Sequence, residues 1–238
     1  MKIEGKNAVR ECILSNKTIE KILIQNGSQN KELVSLAKER GIKVQFVGKS
    51  ALDELSVTKK HQGIIALSTD FKYSSVEDIL NLAKERGEDN FILILDGVED
   101  PHNLGSVLRV AECAGVHGVI IPKDRAVGVT ETVVKVSAGA SERVKIAKVT
   151  NLNRTIEELK EKNIFIYSAD MDGESMTKTN LTGNIAIVVG SEGFGVSKLT
   201  RKLSDGIISI PMFGKINSLN ASVSAGIVVY EAVRQRKK

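Results

Sequence analysis

The amino-acid sequence predicts an α/β protein built around a parallel sheet, and three observations carry that prediction. From Phe91 onward, short apolar runs rich in β-branched residues (FILIL, GVIIP, IAIVVG, IISIP) alternate with stretches of helical period. Those runs are apolar throughout instead of alternating with polar residues, which is the pattern of strands buried on both faces. The third is size: 238 residues, 42% hydrophobic and 26% charged, are ordinary globular values with room for two domains.

In the N-terminal third, Asn7 offers an N-cap to a helix through NAVRECIL that sets Val9, Cys12 and Ile13 on one face. IEKILIQ (19–25) reads as a strand, SQNKELVSLAKERG (28–41) as a helix stopped by Gly41, and IKVQFVG (42–48) as a second strand. A short helix in KSALDELS and a strand in QGIIALST (62–69) complete a compact βαβ-type unit, expected as a domain over 1–70. The next stretch, 70–90, carries a helix and has the look of a hinge, so 71–90 is expected to be a linker before a second domain over 91–238. The pentapeptide AKERG occurs at 37–41 and 83–87, but both copies are helix ends of the form basic-then-Gly and their flanks do not align.

In the second domain, FILIL precedes a helix over 104–114, and GVIIP (118–122) precedes a helical stretch around 129–138. RVKIAKV leads to a helix at 153–162, and IFIYSAD (164–170) leads through a polar loop to IAIVVG (185–190). SKLTRKLS precedes IISIP (207–211), and a long last helix is expected from near Ser218. Ligands of such sheets lie beyond the carboxyl ends of the strands. Three segments fall there: DGVEDPHNLGSVLR, VGSEGFG and IPMFGKINSLNAS.

Composition narrows the chemistry. The formal charge is +5, and residues 1–70 hold 12 Lys and Arg against 8 Asp and Glu, so the excess is densest there and favours a polyanionic partner. Aromatic content is 4% with no Trp, so base stacking is not the expected mode of recognition. No apolar run reaches the length of a membrane span, and the first residues lack the apolar core of a signal peptide. Cys12 and Cys113 are far apart, both expected on apolar helix faces, which argues against a disulfide framework and for a reducing cytoplasm. Neither they nor His61, His102 and His117 show metal-ligand spacing, so no metal is expected. GSEGFG (190–195) spaces its glycines i, i+3, i+5, unlike the dinucleotide fingerprint, and Val196-Ser197 stand where a phosphate loop needs Lys-Ser/Thr. Its glycines permit close backbone approach. After the polar run Gly214, Asn217, Ser218, Asn220, the last helix is dense in small residues, which implies close packing against another backbone or another subunit.

Taken together, DGVEDPHNLGSVLRVAECAG, IVVGSEGFGVS and ISIPMFGKINSLNASVSAGIVVYE resemble the three ordered motifs of the SpoU (TrmH-like) class of RNA ribose 2'-O-methyltransferases, in the SPOUT superfamily. IEGKNAVRECI with its small unit is similar to the RNA substrate-binding domain of the ribosomal-RNA branch, which methylates a guanosine of 23S rRNA. The resemblance implies an α/β domain with a deep trefoil knot, an exception to the unknotted rule, behind a small α/β substrate-binding domain. It also implies S-adenosylmethionine held by backbone around Gly190, Ile210 and Leu219, and a homodimer with the active site at the subunit interface. RNA is the implied partner, without DNA or membrane. Arg109, Asn103, Glu192, Ser218 and Asn220 are the implied catalytic set. For Arg109 two roles stay open, general base or phosphate clamp; deprotonating a guanidinium at neutral pH costs about 7 kcal/mol. Asp96, Asp100 and Pro101 are expected to shape the turn and cap the helix; His102 falls outside the implied catalytic set, and its role stays open between turn hydrogen bonding and function. The alternatives are a transfer-RNA ribose methyltransferase and a non-catalytic RNA-binding protein on the same fold.

Overall fold

The computed structural model describes residues 1–14, 18–28, 30–69, 71–215 and 218–237; Asn217 of the polar run lies outside them. The chain divides into two compact units, residues 1–72 with 128–131, and residues 73–127 with 132–238.

The first unit runs β1 (Lys2–Glu4), α1 (Lys6–Leu14), β2 (Thr18–Gln25), α2 (Lys31–Glu39), β3 (Val44–Val47), α3 (Lys49–Leu55) and β4 (Ile64–Thr69). Its sheet has the order β1-β4-β2-β3. The parallel β2–α2–β3 crossover is the expected βαβ element, whereas β4 runs antiparallel to both its neighbours. Strand pleating sends Ile22 and Ile24 toward α1 and α2, among Val9, Ile13, Leu33 and Ala37, and Leu23 toward Leu52 of α3. Strand β1, only three residues long, shows no period in the sequence. It is anchored by Glu4, whose carboxylate accepts from the Thr58 and Ser56 hydroxyls and the Val57 amide. These bonds, that from Thr58 foremost, pull its pKa to about 2 against the opposing effect of burial.

The second unit opens with α4 (Val76–Arg86), started by a Ser75–Asp78 capping box and ended by Gly87 at φ 63°. This corrects the expectation of a linker over 71–90. Ile79 and Ala83 of α4 are wholly buried, and Ile79 belongs to the core beneath the main sheet. A Cβ on Gly118 would lie 2.4 Å from Ile79 Cγ1, so glycine there is what lets α4 seat. Helix and loop looked like a hinge because the apolar stripe of α4 is thin, with Glu77, Asp78, Lys84, Glu85 and Arg86 around it.

After α4 come β5 (Phe91–Asp96), α5 (Pro101–Ala114), β6 (Gly118–Pro122), α6 (Glu131–Val136), β7 (Lys145–Val149), α7 (Leu152–Glu161), β8 (Phe165–Ser175), β9 (Ile185–Gly190), α8 (Lys198–Leu203), β10 (Gly206–Ser209) and α9 (Ala221–Arg236). The strands form one sheet in the order β10-β8-β9-β5-β6-β7, every pair parallel. Ile92 and Ile94 of β5 face the α4 and α7 layer with Ile156 and Leu159. The alternate residues face the other side, where α5 and α9 pack. Burial on both faces explains why these strands read as unbroken apolar runs.

Three local expectations change. Strand β8 continues five residues past Asp170, through a polar MDGES tail that pairs with β10 across a register shift at Ile207/Ile208. Gly173 makes that approach possible, since a Cβ there would come within 2.6 Å of Ile207 backbone. Helix α5 begins at Pro101, earlier than 104, because Asp100 caps it by accepting from the His102 amide at 3.0 Å. Cys113 is exposed on α5 and not core; Cys12 is buried.

Candidate active site

The carboxyl ends of β8, β9 and β10 open onto a cavity of about 720 Å³, within the usual range for small-molecule sites. One wall is the β9–α8 loop, the GSEGFG segment. It folds back on itself: Ser191 and Gly195 exchange two backbone hydrogen bonds at 3.0 and 3.1 Å, with Gly193 at φ 86° and Gly195 at φ 66°. What approaches Gly190 is therefore the loop's own backbone. A Cβ on Gly190 would sit 2.0 Å from the Gly195 carbonyl carbon and 2.3 Å from Val196 N, so no other residue fits. Asp96, at the end of β5, fixes the far side of this loop by accepting from the Ser197 amide at 2.9 Å.

The opposite wall is the β10–α9 segment. Ile210, Ser218 and Leu219 line the cavity with Gly190, as do Glu192 and Asn220. Asn220 caps α9 by accepting from the amides of Ser222 and Val223, so α9 starts at Ala221, three residues later than expected. The Asn220 amide group donates to Asn103 Oδ1 at 2.9 Å and to Glu192 Oε1, and the Asn103 amide donates to Glu192 Oε1 at 3.0 Å. Three residues drawn from three separate motifs thus form one closed hydrogen-bonded cluster. Two amide N–H donors on one oxygen fix the rotamer of the Glu192 carboxylate at the cavity edge.

Arg109 sits differently. It is exposed on α5, six residues beyond Asn103, and is not among the described residues that line the cavity. Six residues turn a helix by about 240°, so Asn103 and Arg109 cannot share one face. His102 is exposed at the start of α5, with its backbone amide serving the cap. The other two histidines are structural. His117 Nδ1 accepts from the Phe91 amide at 3.0 Å while Nε2 meets Glu88 at 2.9 Å, and burial lowers its pKa. His61 pairs with Asp53 at 2.9 Å. Among the described residues, no group of three or more His, Cys, Asp or Glu could hold a metal ion.

The small residues of α9 also find their reason. Ala225 and Ala232 are wholly buried, and α9 packs along α5, with Gly226 at ordinary contact distance from Val110. Close packing inside the unit accounts for much of that pattern. The sequence reading missed the acidic end of β8. Asp170 lines the cavity and accepts from Arg201 Nη1 at 3.2 Å, while Arg201 Nη2 reaches Asp172 at 2.7 Å. The sequence pattern places Asp170 at the end of the strand IFIYSAD and MDGE in the polar loop after it, with no signal that sets its carboxylate apart.

A doubly covered parallel sheet, with a small-ligand cavity walled by glycine-rich and Asn/Ser-rich loops at its carboxyl ends, defines a cofactor-binding α/β enzyme. Comparison with known proteins narrows this further. Residues 90–230 match the model of the SpoU rRNA Methylase family, and residues 2–74 match that of RNA 2'-O ribose methyltransferase substrate binding. The chain is 44% identical, over 98% of its length and 94% of the relative's, to "Putative TrmH family tRNA/rRNA methyltransferase YacO" of Bacillus subtilis (strain 168). It is 46% identical to a Staphylococcus aureus (strain MSSA476) protein with the same family description, over 98% of this chain and 96% of that one. Among solved structures, it is similar to the SpoU methyltransferase AviRb from Streptomyces viridochromogenes in complex with AdoMet (TM-score 0.63, 22% identity, 99% and 90% covered). It is also similar to an RNA 2'-O ribose methyltransferase (TM-score 0.59, 27% identity, 100% and 89% covered).

The chain belongs to the SpoU family of S-adenosylmethionine-dependent RNA ribose 2'-O-methyltransferases. The cavity suits that cofactor: it has the volume, apolar walls at Val189, Ile208, Ile210 and Leu219, and two carboxylates for a cationic ligand.

Proposed function

We propose that this enzyme methylates a ribose 2'-hydroxyl in ribosomal RNA, a guanosine of 23S rRNA in the bacterial large subunit. The Asn103–Glu192–Asn220 cluster at the rim of the cofactor cavity is the observation that carries the reading. It holds a carboxylate and two amides where a nucleotide would meet the methyl donor. The basic first unit, matching a substrate-binding family model, supports a large structured RNA in preference to transfer RNA.

S-adenosylmethionine supplies an electrophilic methyl group; Gly190, Ile210 and Leu219 would hold it. The chain's own residues have two further tasks, to orient the ribose and to manage the hydroxyl proton. Glu192, held by the two asparagines, and Ser218 orient the nucleotide. Arg109, exposed and off the cavity of its own subunit, suits a phosphate clamp at a site completed by a second copy, and the clamp lowers the hydroxyl pKa without a neutral guanidinium. This reading makes the protein a cytoplasmic homodimer whose segment from β9 to α9 threads a trefoil knot. In support, the β10–α9 segment returns to bond Asn103 at the start of α5.

The test is transfer of labelled methyl to purified 23S rRNA, 16S rRNA and bulk tRNA, followed by mapping of 2'-O-methylation with and without the gene. Methylation of tRNA alone would replace this reading with the transfer-RNA alternative. Sedimentation at the chain mass of 25.8 kDa under assay conditions would count against the shared site.

A further inference from the structure

We infer that Asp170 is the counter-ion for the positive charge of the methyl donor, a selectivity role in the cavity that Glu192 also lines. This rests on the reading of that cavity as the S-adenosylmethionine site. The cavity is lined, among the described residues, by two ionisable side chains of one sign, Asp170 and Glu192, and by no Lys or Arg. Glu192 is occupied by the Asn103 and Asn220 amides. Amides carry no net charge, so Glu192 keeps its own, but the cluster commits that carboxylate to the rim, and Asp170 stands outside the cluster. Its Oδ1 accepts from the Met171 amide at 2.7 Å, and its Oδ2 receives the longer arm of Arg201, at 3.2 Å. The shorter arm, 2.7 Å, goes to Asp172, outside the cavity.

One guanidinium shared by two carboxylates leaves a net charge of −1 on the group, and the side that faces the cavity is Asp170, with 19% of its side chain exposed. Asp172 is 60% exposed and its charge is spent on solvent and Arg201. Partial burial makes the Asp170 charge more effective than a surface carboxylate, because less water screens it. Arg201 also fixes the rotamer, so the carboxylate does not need to be ordered when a ligand arrives. Oδ2 lies beside Gly195, 3.8 Å from where a Cβ would be, so it faces the loop that walls the cavity.

S-adenosylmethionine carries a sulfonium and an ammonium against one carboxylate, net +1. A cavity whose lining charge is entirely negative is matched to such a ligand, and Asp170 is its carboxylate outside the Asn103–Glu192–Asn220 cluster. Asp170→Asn keeps shape and hydrogen bonding while removing the charge. Asp172→Asn is the control, sharing Arg201 but lying outside the cavity.

Both variants and the wild type are titrated calorimetrically with S-adenosylmethionine and with 5'-methylthioadenosine, which has the adenosine and thioether but no charge. Asp170→Asn should weaken S-adenosylmethionine roughly 10–100-fold, about 1.4–2.8 kcal/mol, and leave methylthioadenosine within about twofold. Asp172→Asn should leave both ligands within about threefold. Unchanged S-adenosylmethionine affinity in Asp170→Asn overturns the inference, as does an equal loss for both ligands, which would mark a packing role. Failure of the wild type to bind S-adenosylmethionine would instead sink the cofactor reading on which the inference stands.

Discussion

Replacing Gly190 by alanine tests the architecture of the site most directly. The new Cβ would stand 2.0 Å from the Gly195 carbonyl carbon and 2.1 Å from its oxygen. Ordinary contact needs about 1.5 Å more, and the neighbour is backbone, so no side chain can swing aside. The Ser191–Gly195 turn must open, losing its two backbone hydrogen bonds. Those are worth about 0.5–1.5 kcal/mol each, and overpacking adds about 1–3 kcal/mol. The expected cost is therefore about 2–6 kcal/mol, concentrated in a loop that walls the cavity proposed for the cofactor. S-adenosylmethionine affinity should fall at least tenfold by calorimetry, while far-ultraviolet circular dichroism stays that of a folded α/β protein. Gly193→Asn is the comparison, since Gly193 has φ 86° but nothing within 4 Å of a Cβ, and Asn tolerates that conformation. It should cost about 1 kcal/mol or less. A Gly190→Ala protein with wild-type cofactor affinity would refute the account of the loop, and so would Gly193→Asn behaving as badly.

Other expectations can be checked alongside it. Arg109→Ala should leave the fold and cofactor affinity unchanged and slow single-turnover methyl transfer roughly 10²–10⁴-fold, with little rescue by Arg109→Lys because an ammonium cannot form a bidentate fork on phosphate. Near-wild-type rates would remove it from the mechanism. Ile79→Ala should destabilise the protein by about 2–5 kcal/mol in thermal or urea unfolding, because Ile79 is wholly buried against Gly118; a silent substitution would restore the linker reading. His117 is held neutral, its pKa lowered by burial, so the unfolded chain binds its proton first as pH falls. Stability should thus be full above about pH 6.5, the unfolded value, and decline below it toward the folded pKa. His117→Asn should flatten that part of the pH–stability curve, and an unchanged slope would point to another group.

Much of the second unit could be read from sequence because β5, β6 and β9 are buried on both faces and leave unbroken apolar runs. The cluster of Asn103, Glu192 and Asn220 was different. Their motifs could be recognised, but that one oxygen of Glu192 gathers both amides is a matter of tertiary packing. Periodicity failed where structure owes little to it. Strand β1 is three residues long, and the β8 tail is polar because it lies at the margin of the sheet. Cys113 was placed in the core because Leu, Val and Ala surround it in sequence, yet α5 turns that position outward. The dense charges of α4 hid the two residues, Ile79 and Ala83, that seat it.

The Asn220–Asn103 bond has a consequence for how the enzyme is made. It closes 117 residues of chain, and the bond from Asn103 to Glu192 closes 89. Contacts so distant form late, after the entropy of bringing their ends together has been met. At about 5–20 residues per second, a ribosome would release Asn103 several seconds before Asn220 exists to meet it. During that interval the first unit and the early strands can fold, but nothing capable of gripping the methyl donor is present. A chain stalled before Asn220 would thus carry its first unit without the competence to transfer a methyl group, and synthesis of Asn220 becomes the release condition for activity.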